Sequence, residues 1–411
     1  MSTYIHISKK NSLSGSVTNL PASKSISNRV LIINALGGNQ SELLNLSEAN
    51  DTVLMKQLVN STDQVLDVED AGTTMRFLTA YLAITNQQKI LTGTERMKLR
   101  PIGILADALR KLGARIDYLE KDGFPPLEIV GFNDQKTNQL TIRGDVSSQY
   151  ISALMMIAPA LPMGLTLMLE GKIGSRPYIE MTASLMRKFG AEVLVGDTVI
   201  EIAHQHYKSC RYTVEADWSA ASYWFAFTAL AIQAEITLPN IALRSLQGDR
   251  VIVDMMEQLG VKAEPRGNTQ LLTKKDPLPE FSWDFSHCPD LAQTVAVVCA
   301  AKGIQGTFTG LESLRIKETD RIEALHTELQ KIGAQLIETG SDWKLIPTQK
   351  LPDKIPAFNT YLDHRMAMAF APLACLADIS VENPLVVRKS YPGFWNDLKK
   401  VGFTLLENEA S

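Results

Sequence analysis

Five stretches of this chain set small polar or charged residues directly before an apolar run of helical length. Ser23-Lys24-Ser25 precedes ISNRVLIINAL, Ala71-Gly72-Thr73-Thr74 precedes MRFLTAYLAI, and Ser147-Ser148-Gln149 precedes YISALMMIAPAL. Asp290 precedes LAQTVAVVCAA, and Asp363-His364-Arg365 precedes MAMAFAPLACLA. A helix start presents unpaired N–H groups and the positive end of the helix dipole, so each is a candidate anion site, and each is also an ordinary N-cap. Cations accompany them. Lys24 and Arg29 flank the first start, Arg100 follows the second helix, Lys317 and Arg321 stand four apart in KETDR, and Arg365 and Lys389 come later. If KETDR is helical, Lys317 and Arg321 share a face. This many cations beside helix starts suits ligands bearing phosphates and carboxylates, although any one of them also reads as half of an exposed salt bridge. Glu318, between Lys317 and Arg321, reads on residue types alone as a partner of Arg321, with a protonation state that depends on the charges around it.

The elements that must position these groups repeat. An amphipathic helix that ends in glycine and runs into a strand occurs as ADALRKLGARIDY, TASLMRKFGAEVLV, VDMMEQLGVKAEP, HTELQKIGAQLIE and NDLKKVGFTLLE. Their glycines, Gly113, Gly190, Gly260, Gly333 and Gly402, are 77, 70, 73 and 69 residues apart. Each falls where a helix C-cap needs a residue tolerant of positive φ. A period near 70 suits a subdomain of several strands and two helices. An earlier helix, LMKQLVNSTDQVL, ends near Asn60, too close to Gly113 for a full unit, so the first copy is expected to be truncated, with an outer strand or hairpin missing. The pattern predicts an α/β protein of six units, three per domain. One domain spans 20–216, and the other joins 1–19 to 217–411, with a ligand cleft between them; 411 residues are more than one core usually serves.

Composition narrows the partners. Acidic and basic residues number 45 and 41 for a net charge of −4, so no global field draws nucleic acid or an anionic membrane. Cys210, Cys288, Cys299 and Cys375 contain no C-x-x-C pair and read as reduced structural thiols. MSTYIHISKK lacks the apolar core of a signal peptide, and no apolar run reaches the roughly 18 residues of a membrane span, which predicts a cytoplasmic location. His204 and His206 form a possible two-ligand metal edge, but the better reading is one exposed face of a strand.

The motifs LPASKSISNR, AGTTMR, RMKLRPIG, VSSQ, SRPYI, the PD of HCPD, KETDR, LDHRMAM and RKSYPGFW, in that order, resemble the 5-enolpyruvylshikimate-3-phosphate synthases of the enolpyruvyl transferase family across nearly the whole chain. The resemblance implies an inside-out α/β barrel in each domain, built of βαβαββ-type repeats. It implies transfer of the carboxyvinyl group of phosphoenolpyruvate to shikimate 3-phosphate, without metal or organic cofactor, by a monomer. It places shikimate 3-phosphate on Lys24, Ser25, Arg29, Ser147, Ser148, Gln149, Ser175, Tyr178, Asp290, Ser313 and Lys317. It places phosphoenolpyruvate on Lys24, Gly72, Arg100, Gln149, Arg321, Arg365 and Lys389. Asp290 would be the base at the 5-hydroxyl, Glu318 the acid at the methylene carbon, and Lys24 a further catalytic residue.

Asp70, Ser313 and Phe77 depart from the family pattern, which more often has asparagine, asparagine and proline there. Asp70 would add negative charge near phosphoenolpyruvate, Ser313 would shorten the reach to the phosphate, and Phe77 would shift the backbone. By the same resemblance Gly72 leaves room for the herbicide glyphosate, and Gly72→Ala is expected to weaken its inhibition. Crowded cations are also expected to repel one another in the free protein, favouring an open form that closes on its anions. Two rivals remain at this stage. Enolpyruvyl transfer to UDP-N-acetylglucosamine usually carries an N-terminal-domain loop cysteine, whereas the first cysteine here is Cys210. A non-catalytic anion-binding protein would explain the cations without requiring Asp290 or Glu318.

Overall fold

The computed structural model describes residues 3–18, 20–145 and 147–409. It has a mixed α/β fold and divides into two compact units: Ala22–Val214, and a discontinuous unit that joins Met1–Pro21 to Glu215–Ser411. The two chain crossings lie two residues inside the expected ones.

Among the described residues each unit contains three sheets. In the 22–214 unit one sheet runs in the order Val65–Asp67, Lys89–Thr92, Leu127–Phe132, Ala114–Tyr118, with the first pair parallel and the other two antiparallel. Register puts Leu66 opposite Leu91 and Leu91 opposite Leu127, and all three are fully buried, as period-two alternation on a covered face requires. The same arrangement of one parallel and two antiparallel pairings recurs in the sheets that contain Leu165–Glu170, Gln233–Leu238 and Gln305–Thr309. The remaining two sheets are shorter. One pairs only Glu42–Leu44 with Arg211–Thr213, and the other sets Thr3–Ile7 between Ile379–Glu382 and Leu405–Glu409.

The five repeat glycines all adopt positive φ, from 80° to 120°. At Gly113 the requirement is also steric, since a Cβ there would lie 2.1 Å from the Asp134 carbonyl oxygen. Two helices are buried on nearly every side. Only Gly72–Ile84 residues Thr73 and Ile84 escape full burial, and in Trp218–Leu230 only Ser219 does. Such helices have almost no solvent face.

No helix among the described residues is long and apolar enough to cross a membrane. His204 and His206 are not on a strand, because Val199–Ile202 ends before them; both are exposed, and His204 Nδ1 lies 2.9 Å from the Leu161 carbonyl oxygen. Cys288, Cys299 and Cys375 are buried free thiols, and Cys210 is a half-buried one.

Candidate active site

In the 22–214 unit the starts of the helices at Lys24, Asn50, Gly72 and Ser148 are tied to one another by side chains. Ser23 caps Lys24–Leu36, and its hydroxyl accepts from the Ile26 N–H at 3.4 Å. Ser147 caps Ser148–Ile157, and Ser175, held at φ 52°, precedes Arg176–Lys188 without a capping side-chain hydrogen bond. Gly72 is the first residue of Gly72–Ile84. The Gln149 amide donates to Thr73 Oγ1 at 3.0 Å, which joins the third helix start to the second. Lys24 Nζ donates to Asp51 Oδ2 at 3.1 Å, and Thr74 Oγ1 donates to the Asp51 carbonyl at 3.0 Å. Asp51, on the helix Asn50–Leu58, is thus an anchor that the sequence did not single out.

Arg29 is deeper than its assigned ligand role suggests, at 2% exposed. It donates to Thr182 Oγ1 at 2.8 Å, the Ser25 carbonyl at 2.9 Å and Ser152 Oγ at 3.0 Å, joining three helices. Burial pushes its pKa down to about 10. Phe77 lies in an unbroken helix with its ring 5.3 Å from the Arg29 guanidinium, and Tyr178 lies at 5.7 Å. The substitution at Phe77 therefore supplies an aromatic face for a buried cation. Arg100 is also mostly buried and donates to the Asp70 carbonyl at 3.4 Å. It packs against Gly72 so closely that a Cβ on the glycine would lie 2.5 Å from its terminal nitrogen.

The discontinuous unit gathers a different chemistry. Arg321, 2% exposed, opens the helix Arg321–Gln330 and contacts three carboxylates: Asp363 at 2.7 Å, Glu318 at 2.8 Å and Asp290 at 3.1 Å. Arg365 pairs with Asp290 Oδ2 at 2.8 Å, donates to the Asp290 carbonyl at 3.1 Å, and lies 3.4 Å from Ser219 Oγ. Lys389 Nζ is 3.7 Å from Glu318. Burial alone would raise the Asp290 pKa, but Arg365, Lys317 and Arg321 outweigh it and hold the carboxyl well below its usual range. Burial would likewise discharge Arg321, and Asp363, Glu318 and Asp290 reverse that.

Two sequence readings are corrected here. Lys317 and Arg321 do not share a helix face: Lys317 ends a 3-10 turn, and the helix begins only at Arg321, with Asp320 as its cap. The cations are not left to repel one another either, since Arg321, Arg365, Lys389 and Lys24 each stand against a carboxylate. Ser313 lies exposed on that same 3-10 turn, between Glu312 and Ile316.

Asp249, also not anticipated, is buried and accepts from Ser219 Oγ through Oδ2, while its Oδ1 has no hydrogen-bond partner. Burial first, and the charge of Asp290 second, push its pKa up to about 7. An aspartate thirty residues from Ser219, on the 3-10 turn Gly248–Val251, carries no sequence signal of this role.

Comparison with known proteins identifies the family. The family model for EPSP synthase (3-phosphoshikimate 1-carboxyvinyltransferase) matches residues 7–62 and 55–398. A 3-phosphoshikimate 1-carboxyvinyltransferase of Bacteroides fragilis (strain YCH46) is 48% identical over 394 residues, covering 95% of this chain and 96% of the relative. One from Vibrio atlanticus (strain LGP32) is 35% identical over 420 residues, covering 94% and 96%. In fold, the chain is similar to EPSP synthase from Acinetobacter baumannii, with a TM-score of 0.78 over 99% of this chain and 100% of that one at 20% identity.

Proposed function

The chain belongs to the EPSP synthase family, and from that premise we propose how its side chains divide the reaction. It is a 3-phosphoshikimate 1-carboxyvinyltransferase, an enzyme of the shikimate pathway that moves the enolpyruvyl group of phosphoenolpyruvate onto shikimate 3-phosphate and releases phosphate. In the proposal shikimate 3-phosphate binds chiefly through the helix starts of the 22–214 unit, at Ser25, Ser147, Ser148, Gln149 and Ser175, with Tyr178 and Arg29 beside it. Asp290, Lys317 and Ser313 meet its ring and phosphate from the other unit. Phosphoenolpyruvate takes Arg321, Arg365 and Lys389 together with Lys24, Gly72, Arg100 and Gln149.

The observation that carries this reading is the sharing of Arg321 by Asp290 and Glu318, at 3.1 and 2.8 Å. The proposed base and acid thereby stand on a single guanidinium. As phosphoenolpyruvate engages Arg321 and Arg365 it competes with both carboxylates for those donors. Released from its cations, Asp290 becomes a stronger base, and Glu318 becomes easier to protonate. Asp290 takes the proton from the 5-hydroxyl as that oxygen bonds to the central carbon of phosphoenolpyruvate, and Glu318 delivers a proton to the methylene carbon. The ketal that results loses phosphate as its C–O bond breaks, the proton held by Asp290 passing to the departing phosphate, and Glu318 recovers a proton from the new methyl group to restore the double bond. Lys24 steadies the charge that moves to the leaving phosphate.

The proposal extends to architecture and setting. Three sheets per unit, repeated pairing patterns and the two-stranded sheet at Glu42–Leu44 support six βαβαββ-type repeats with a truncated first copy in an inside-out barrel. The near balance of charge supports action on free metabolites rather than on nucleic acid or an anionic membrane, and the family resemblance supports a cytoplasmic monomer. The test is phosphate release from phosphoenolpyruvate with and without shikimate 3-phosphate, in the parent protein and in Asp290→Asn. Release that requires the acceptor and falls about 10²- to 10⁴-fold in the variant, with substrate binding kept, is expected. Unaltered turnover in Asp290→Asn removes Asp290 from the mechanism, and release with UDP-N-acetylglucosamine instead points to the sister reaction.

A further inference from the structure

One fully buried carboxylate of the discontinuous unit has no part in the chemistry above. Glu328 lies on the helix Arg321–Gln330, 0% exposed, and both of its oxygens are committed. Oε1 accepts from the Tyr361 hydroxyl at 2.8 Å, and Oε2 accepts from the Asn359 N–H at 3.0 Å and from Lys331 Nζ at 2.6 Å. Lys331 Nζ also donates to the Ala357 carbonyl at 2.7 Å. A buried carboxylate is costly unless its oxygens are satisfied, and here every partner but Lys331 belongs to one irregular segment.

That segment leads straight into the site. Tyr361 and Leu362 both adopt left-handed backbone, at φ 53° and 57°, a costly conformation for two successive residues that carry a Cβ. The next residue is Asp363, which accepts from Arg321, and two further on is Arg365, which pairs with Asp290. Arg321 and Glu328 are seven residues apart and so lie on one face of their helix. With Lys331 they hold the segment at Ala357, at Asn359 and Tyr361, and at Asp363. Burial, then the hydrogen bond to the Glu328 carboxylate, push the Tyr361 pKa up to about 12, so its hydroxyl remains a donor across the working range.

The geometry points to Glu328 as a positioning residue: through Tyr361 and Asn359 it fixes the strained segment that ends in Asp363 and Arg365, and so sets where Arg321 and Arg365 stand for phosphoenolpyruvate. The inference rests on the reading that those two arginines bind phosphoenolpyruvate. Its test is steady-state kinetics of the full chain carrying Glu328→Gln, Tyr361→Phe or both, with Arg365→Ala in parallel. Glu328→Gln keeps the shape while turning one acceptor into a donor, and it is expected to raise KM for phosphoenolpyruvate about tenfold and to lower kcat. Its KM for shikimate 3-phosphate should change less than about twofold. Tyr361→Phe removes one hydroxyl and should act in the same direction by about threefold, which decides the matter if Glu328→Gln fails to fold. The double variant should be little worse than Glu328→Gln, because both act through one contact. Unchanged KM for phosphoenolpyruvate in both single variants, or an equal rise in both KM values, overturns the positioning role. An unchanged KM for phosphoenolpyruvate in Arg365→Ala overturns instead the site reading beneath it.

Discussion

The two units offer anions opposite kinds of environment. In the 22–214 unit the candidate groups are mainly hydroxyls, an amide and N–H groups at helix starts, and the deepest cation, Arg29, is spent on Thr182, Ser25 and Ser152. In the discontinuous unit cations and carboxylates are interleaved, with three carboxylates on Arg321 alone. Neutral donors bind a phosphate without changing protonation, which suits holding a substrate still. Interleaved charges change partners when an anion arrives, which suits moving protons. The contrast teaches that one half of the proposed site is built to hold and the other to react.

The strongest way to break that contrast is Arg321→Ala. It leaves Asp363, Glu318 and Asp290 without their shared partner, which should destabilise the protein by about 3–5 kcal/mol and lower kcat/KM at least about 10³-fold. Denaturant unfolding and phosphate release report the two effects. A stable, active variant would show that the carboxylates do not need the guanidinium.

Gly72→Ala sharpens the other side. The added methyl meets the Arg100 guanidinium at 2.5 Å, so it should act by displacing that cation as well as by filling space. KM for phosphoenolpyruvate and the glyphosate concentration needed for half-inhibition should both rise, by about tenfold, with KM for shikimate 3-phosphate held. Equal inhibition of parent and variant would refute the steric argument.

A third test concerns Asp249, whose pKa burial and then the Asp290 charge push up to about 7, with Asp217 adding to the shift and Arg365 opposing it. A carboxyl whose pKa is raised keeps its proton while the unfolded chain loses one. Stability from this group is therefore full below about pH 4 and falls by up to about 1.4 kcal/mol per pH unit as pH rises to about 7. The opposite contribution of Asp290, with its lowered pKa, is lost only as pH falls below about 4. Asp249→Asn should flatten the decline between pH 4 and 7 in denaturant midpoints; a slope that survives the substitution places its origin elsewhere.

What could be read without the fold follows from distance along the chain. Helix starts and capping glycines announce themselves within a few residues, because Ser23, Ser147 and Gly113 act on neighbouring backbone. Lys317 and Arg321 were misread for the same reason, since a four-residue spacing says nothing of where a helix begins, and Asp320 caps it one residue before Arg321. Asp51 beside Lys24, Asp249 beside Ser219 and Glu328 beside Tyr361 are 27, 30 and 33 residues apart, and only the fold brings such pairs together. The burial of Arg29 was equally hidden, because its partners Ser152 and Thr182 come from two helices far along the chain.

The central claim is that the holding half and the reacting half serve the same pair of molecules. A crystal structure of the chain with shikimate 3-phosphate and glyphosate tests it most directly. The expected result has the phosphate on Ser25, Ser148 and Ser175 and the Asp290 carboxylate within hydrogen-bonding distance of a ring hydroxyl of the same molecule. A ligand whose contacts all fall within one unit would contradict it.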